Sequence, residues 1–478
     1  MTSQSDGKVK IGLFGIGLDT YWPQFKGLKE RLEGYQGQIR DRLAGETLEV
    51  IDAGLVDNLE KSSAAAALFA REEVELIFLY ISTYALSSTV LPVVQHAKAP
   101  VVVLNLQPAA RIDYQRFNQL PSREQMTGEW LAYCQACSTP EIASVFNRAG
   151  IDYHLVTGVL DDPQAWEEIG AWVEAARVAH VLRRSSIGLL GHYYQGMLDV
   201  YSDCTQLAAV FGCHFDLVEM DELKALRDSA TEDDIQAMQA TFQRGFAVSP
   251  ECSPGELRRA AWTSAALHRL VEKRGLGALA YYYEGQPGSD HEDIVTSVIA
   301  GNTLLTAGHV PVAGEFEVKN VLAMKIMDSF GCGGSFSEFY AMDFTDDVVL
   351  LGHDGPGHAA IAEGKVALVP LQVYHGKPGK GLSIQMSVRH GPVTLLSVCQ
   401  DRQGSVKLLV GEGEAVAGPV LNIGNTNSRY RFPIGAKNYI NSWSKAGPSH
   451  HCAVGIGHLA QKIEKLGAVL GIEVIRIC

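Results

Sequence analysis

Glu315, Glu338, His353 and His451 carry side chains able to hold a divalent cation, each in a glycine-rich segment: AGEFEVKN, CGGSFSEFYAMDF, LLGHDGPGH and AGPSHHCAVGIGH. Two carboxylates and two imidazoles suit Mn²⁺, Mg²⁺ or Co²⁺, with coordination positions left open for substrate oxygens. Each residue also has a plainer reading. Glu315 precedes a helical pattern, VKNVLAMKIMD, where the helix dipole favours a carboxylate and a simple cap would look the same. Glu338 is flanked by Phe336, Phe339 and Tyr340, and a carboxylate among aromatic rings is costly to desolvate unless it meets a cation or hydrogen-bond donors. His353 ends an apolar run ahead of a tight turn, with His358 in the same segment, and His451 adjoins His450. Residue chemistry alone leaves the choice within each histidine pair open, whereas His309 and His375 read as turn hydrogen-bonders.

The elements that must position these residues show in the hydrophobic pattern. Short, β-branched, nearly continuous apolar runs at 10–15, 48–54, 75–82, 101–106 and 153–159 read as strands buried on both faces, hence a parallel sheet. Amphipathic stretches at 24–43 and 61–73, the second opened by Ser62 and Ser63, read as the helices between them. A second alternation has strands at 186–191, 215–220 and 276–283 and helices at 233–246 and 254–273. From Asp346 the texture changes to Val-, Gly- and Thr-rich runs with Gly and Asp at turns, as in half-buried antiparallel strands. One helix at 456–466, stopped by Gly467, and a final strand, IEVIRI, close the chain. The expected fold is α/β: two doubly wound parallel-sheet domains, 1–182 and 183–325, followed by a mostly antiparallel β domain, 326–478, carrying most of the metal site.

Composition narrows the class. The 478 residues exceed the roughly 250–300 at which a single core stops growing, and 46% hydrophobic with 20% charged residues is a globular balance. A net charge of −14 without clustered Lys and Arg argues against nucleic acid as a partner. The first apolar run is short and glycine-bearing, and no run reaches the roughly 18 apolar residues of a membrane span. A cytoplasmic protein with no membrane partner is expected. Nine scattered cysteines do not form a disulfide framework, and Cys134–Cys137 is a lone CxxC. The FGIGL stretch lacks the third glycine of a dinucleotide loop, because position 20 is Thr20, and KPGKG at 377–381 lacks the P-loop pattern and reads as a tight turn.

The quoted segments together resemble the L-arabinose isomerases and, more distantly, the L-fucose isomerases: AGE before a helix, GGSFSEFYAMDF against GTSFMEDYTYHF, LLGH, and GPSHHCAVGIGH. The resemblance implies a metal, Mn²⁺ or another divalent ion such as Mg²⁺ or Co²⁺, held by Glu315, Glu338, His353 and His451. It selects His353 over His358 and His451 over His450. Glu315 and Glu338 would combine ligation with proton transfer, and Asp354 or His450 would orient the ligands. Weaker resemblances place Gln107, Gln135, Tyr193, Met197 and His450 against the sugar. The family also implies a homo-oligomer, trimer or hexamer, with active sites at subunit interfaces, and Tyr21 and Trp22 are candidates for such a contact. AGEFE replaces AGEGD, HDGPGH departs from HMLE, and Phe339 stands where the family has an acid.

Moving a proton between C1 and C2 of an aldose, and another between O1 and O2, needs a polarised carbonyl and two groups acting as base and acid. The expected function is therefore divalent-metal-dependent aldose–ketose isomerisation of a free sugar such as L-arabinose or L-fucose, through an enediol. The alternatives are a non-catalytic sugar-binding protein and a metal-dependent hydrolase or aldolase using the same ligands.

Overall fold

The computed structural model describes residues 7–95, 97, 99–374 and 377–478; His375 lies outside them. The chain divides into two compact units, 1–180 and 181–478.

In the first unit, β1 (Val9–Ile16), β2 (Leu48–Val56), β3 (Leu76–Tyr80), β4 (Val101–Gln107) and β5 (Tyr153–Val159) form one sheet in the order β2-β1-β3-β4-β5. Every pairing is parallel. All of β3 is buried, as continuous apolar runs require when helices cover both faces. The helix Leu59–Glu72 starts ahead of the expected serines because Asn58 caps it, its side chain accepting from the amide of Lys61.

The second unit opens with β6 (Ser186–Gly191), β7 (His214–Val218), β8 (Ala247–Val248), β9 (Leu276–Tyr282) and β10 (Val312–Ala313). Four of these make a parallel sheet in the order β10-β9-β6-β7. The strand expected at 215–220 ends earlier, since Met220 begins the helix Met220–Asp228.

There follow β11 (Gly333–Asp343), β12 (Val348–His353), β13 (Ala367–Pro370), β14 (Val373–Tyr374), β15 (Lys377–Pro378), β16 (Leu382–Gln385), β17 (Gly391–Gln400), β18 (Val406–Val416), β19 (Thr426–Arg431), β20 (His451–Ile456) and β21 (Glu473–Arg476). The order β17-β20-β11-β12-β19-β18 closes on itself, because β17 also pairs with β18, and β21 extends β18 in parallel. The pairings around this ring are antiparallel, giving a barrel without free edges around its circumference. The α/β class with an antiparallel β C-terminal region is as the sequence indicates.

Two C-terminal details differ from expectation. The helix Ala436–Lys445 is additional, seated on the core through Ala436, Tyr439 and Trp443. The last helix is Ala460–Leu470, with Gly467 buried inside it and Gly471, at φ 68°, ending it.

The boundary placed at 325/326 falls inside the helix Val318–Ser329, buried at every position from Val318 to Asp328. It packs against β9 and β10 of the parallel sheet and against β11, β17 and β20 of the barrel. A helix buried on all sides is core to everything around it, so the two sheets share one compact unit. Among the described residues no helix is long and apolar enough to cross a membrane.

Candidate metal centre

Three adjacent barrel strands and one loop bring the acidic and imidazole side chains together. In β11, Glu338 pairs on one side with Gly352 of β12, next to His353, and on the other with His451 of β20. Residues two apart on a strand share a face, so Phe336 lies beneath Glu338. Fully buried, Phe336 packs at a tilt against His353 (centroids 4.3 Å) and His451 (4.4 Å). Glu315 enters from the turn between β10 and the buried helix.

Its carboxylate is the hub. Glu315 Oε1 lies 3.8 Å from His353 Nε2, while Oε2 lies 3.3 Å from His451 Nε2 and 3.6 Å from His450 Nε2. His450 Nε2 is also 4.0 Å from Glu338 Oε2. Glu315, His450 and His451 each offer a donor atom within 4.8 Å of the others. To reach this place both Glu315 (φ 55°) and Phe316 (φ 58°) adopt the left-handed backbone, each at a cost of about 1–3 kcal/mol.

Electrostatics follow from this crowding. Burial works to raise the pKa of Glu315, but the imidazoles of His353, His450 and His451 outweigh it and hold the carboxyl below its usual range. Burial pushes His451 well below the ordinary histidine range, assisted by His353, and keeps it neutral. For His450 burial is opposed and overcome by Glu315 and Asp199, and its pKa rises to about 9. Burial likewise holds the Tyr340 hydroxyl protonated, with the charges of Glu338 and Asp354 acting in the same direction.

The residues present fit a divalent cation. Glu315 Oε2 and both ring nitrogens of His451 are buried without a hydrogen-bond partner among the described residues, as is His353 Nδ1. Unsatisfied buried donors and acceptors are rare in folded proteins. Here a carboxylate oxygen and an imidazole nitrogen face one another at 3.3 Å without bonding, the arrangement of ligands turned toward a common centre. Neutral imidazole and ionised carboxylate are the ligand forms such an ion requires.

Of the other residues singled out in the sequence, His450 lies at the centre, while Tyr193 is half-buried with its ring 4.9 Å from that of Phe316. The Tyr193 hydroxyl is engaged with the backbone of Ser202. Met197 is half-buried in the same 192–203 segment. Gln107 and Gln135 belong to the first unit. Gln107 ends β4, whereas Gln135 is fully buried and donates to the carbonyls of Ser82 and Ala132, both at 3.0 Å. Trp22 donates to Asp57 at 2.9 Å and Tyr21 packs edge-on against Phe25. His358 is buried, its amide donating to Ser335, and His309 is paired with Asp328.

Sequence reasoning passed over Glu317 and Asp199. Glu317 is fully buried with Oε2 3.5 Å from His451 Nδ1. Burial raises its pKa to about 8 against the opposing charge of Lys319. An acid two positions beyond Glu315, just before a buried helix, was a readable signal. Asp199 accepts from His450 across 251 positions of chain, a pairing no local pattern announces.

Known proteins are similar to this chain in sequence. The family model described as the L-arabinose isomerase C-terminal domain matches residues 333–473, the stretch from β11 into β21. Over this domain the chain is similar to the L-arabinose isomerases. An L-arabinose isomerase of Nocardioides sp. is 23% identical over 350 residues, 70% of this chain and 68% of that protein. The L-arabinose isomerase of Bacillus subtilis is 20% identical over 350 residues, covering 70% and 69% respectively. A sulfoquinovose isomerase of Alkalicoccus urumqiensis is 21% identical over 334 residues, covering 68% of this chain and 72% of its own.

Proposed function

We propose that the protein is a divalent-metal-dependent aldose–ketose isomerase acting on a free monosaccharide such as L-arabinose or L-fucose, in the cytoplasm and as a homo-oligomer. The reading rests chiefly on one observation: the Glu315 carboxylate lies within 3.8 Å of His353, His450 and His451 on a site rimmed by Glu338. Glu315, Glu338, His353 and His451 would hold the ion, Mn²⁺ being the first candidate. When bound, the ion supplies the Lewis acidity that polarises a sugar carbonyl and stabilises developing negative charge.

The protein's own groups do the rest. Glu315 and Glu338, reaching the site from different elements, take the proton from one carbon and return it to the other, passing through an enediol. His450, between the two carboxylates, hydrogen-bonds the sugar oxygens, and Phe336 keeps water from beneath the imidazoles. Tyr193 and Met197 wall the sugar on the side of the 192–203 segment.

The test is direct. With Mn²⁺ and a panel of aldoses, at least one sugar is expected to yield its ketose, and EDTA should stop the conversion. The panel includes a 6-sulfonated hexose, because one relative is named for such a sugar. No ketose from any member, or turnover undiminished by EDTA, would count against the proposal.

A further inference from the structure

We infer that Asp199 is the positioning residue that holds His450 over the two carboxylates. Asp199 Oδ2 accepts twice from the same residue, from the backbone amide of His450 at 3.0 Å and from its ring Nδ1 at 2.6 Å. The pair of bonds fixes the backbone and the ring together. It commits Nδ1 as the donor and leaves Nε2 facing Glu315 and Glu338 at 3.6 and 4.0 Å; the partner of one ring nitrogen decides what the other can do.

Groups from other elements hold Asp199 there. Its side chain is 41% exposed, and it lies between β6 and the helix Cys204–Phe211. Its position is set from below. Its backbone carbonyl accepts from the buried Nζ of Lys319 and from Ser449 Oγ, the latter at 3.2 Å. Lys319 Nζ also reaches the carbonyl of Tyr201 at 3.4 Å. The helix that follows Glu315 thus carries the ammonium that seats Asp199, and Ser449, the neighbour of His450, adds the second tie. An acidic residue serving only solubility has no need of a buried cation beneath its carbonyl.

The kinetic half of the test rests on the isomerase reading; the structural half does not. In Asp199→Ala, with Mn²⁺ saturating, kcat is expected to fall about ten- to a hundredfold, the usual effect of removing a group that orients an active-site histidine. KM should change less, and Mn²⁺ affinity measured by electron paramagnetic resonance should stay within about threefold, because Asp199 touches no proposed ligand. Asp199→Asn, whose amide oxygen can accept the same two bonds, should recover most of the lost kcat. A crystal structure of the Ala variant should show the His450 ring turned away from the carboxylates. An Ala variant with unchanged kcat, an Asn variant no better than Ala, or a His450 ring in its original place would overturn the inference. Should the wild-type enzyme isomerise no aldose, the functional proposal fails, and the ring position in the Ala variant still decides the role of Asp199.

Discussion

Glu315 and Phe316 occupy consecutive left-handed positions, a conformation that neither residue favours and that only surrounding structure can impose. The strain directs the Glu315 carboxylate toward the imidazoles. Replacing Glu315 or Glu338 with Gln should leave folding near wild type and lower turnover by roughly 10²–10⁴-fold, the range typical of a lost general acid or base; melting curves and single-turnover assays check both halves, and retained activity would remove the assignment. Thiol reactivity offers a second test at this scale. Burial raises the pKa of Cys213 to about 12 and of Cys399 to about 11, while Cys137 is exposed. Cys137 should therefore react with a thiol reagent at neutral pH well before either, as mass spectrometry of partially labelled protein would show. Ligand chemistry made the carboxylates and one histidine of each pair legible in the sequence. The choice within each pair came from resemblance, and the proximity of His450 to both carboxylates required the fold.

The strands place these side chains by register. A Cβ at Gly352 would lie 1.8 Å from the carbonyl oxygen of Thr426 on β19, so Gly352→Ala must force β12 and β19 apart, displacing His353 and disturbing its neighbour Glu338. A loss of about 2–4 kcal/mol in stability, together with weaker Mn²⁺ binding, is expected from denaturation and titration. The last helix supplies a contrast. Gly467 looks like a helix terminator, yet a Cβ there would meet Val474 Cγ2 at 2.3 Å. At Gly471, with φ 68°, the space is open. Gly467→Ala should be the more damaging, despite alanine's better helix propensity, with Gly471→Ala costing about 1 kcal/mol; equal melting temperatures would contradict this. Strands with continuous apolar runs were readable almost to the residue, as at Tyr153–Val159 and Ser186–Gly191. The helix Ala436–Lys445 escaped notice because its buried face is only Ala436, Tyr439 and Trp443 among residues of modest helix propensity, and the glycine in the last helix was misread because its burial is tertiary.

At the scale of the molecule, every proposed ligand lies in the second unit, and the binding energy of the proposed ion would appear as stability of that unit. Mn²⁺ at about 100 times its dissociation constant should add ~2.7 kcal/mol, visible as a melting temperature several degrees higher, and His451→Ala should abolish the shift. An equal shift in that variant would place the ion elsewhere. Composition and alternation sufficed to see the α/β class and the change to β structure, but the sharing of one core by two sheets was hidden, because a boundary drawn from texture cut through the helix Val318–Ser329. That helix has a consequence for how the protein opens. Its amides cannot reach solvent unless the parallel sheet and the barrel come apart together, so Leu322 to Ile326 should be among the slowest in the unit to exchange hydrogen for deuterium, at a rate that follows global unfolding. The residues next to the Glu315 turn would then record the lifetime of the whole folded unit, and partial unfolding that spared the proposed metal site while losing one sheet would not be populated.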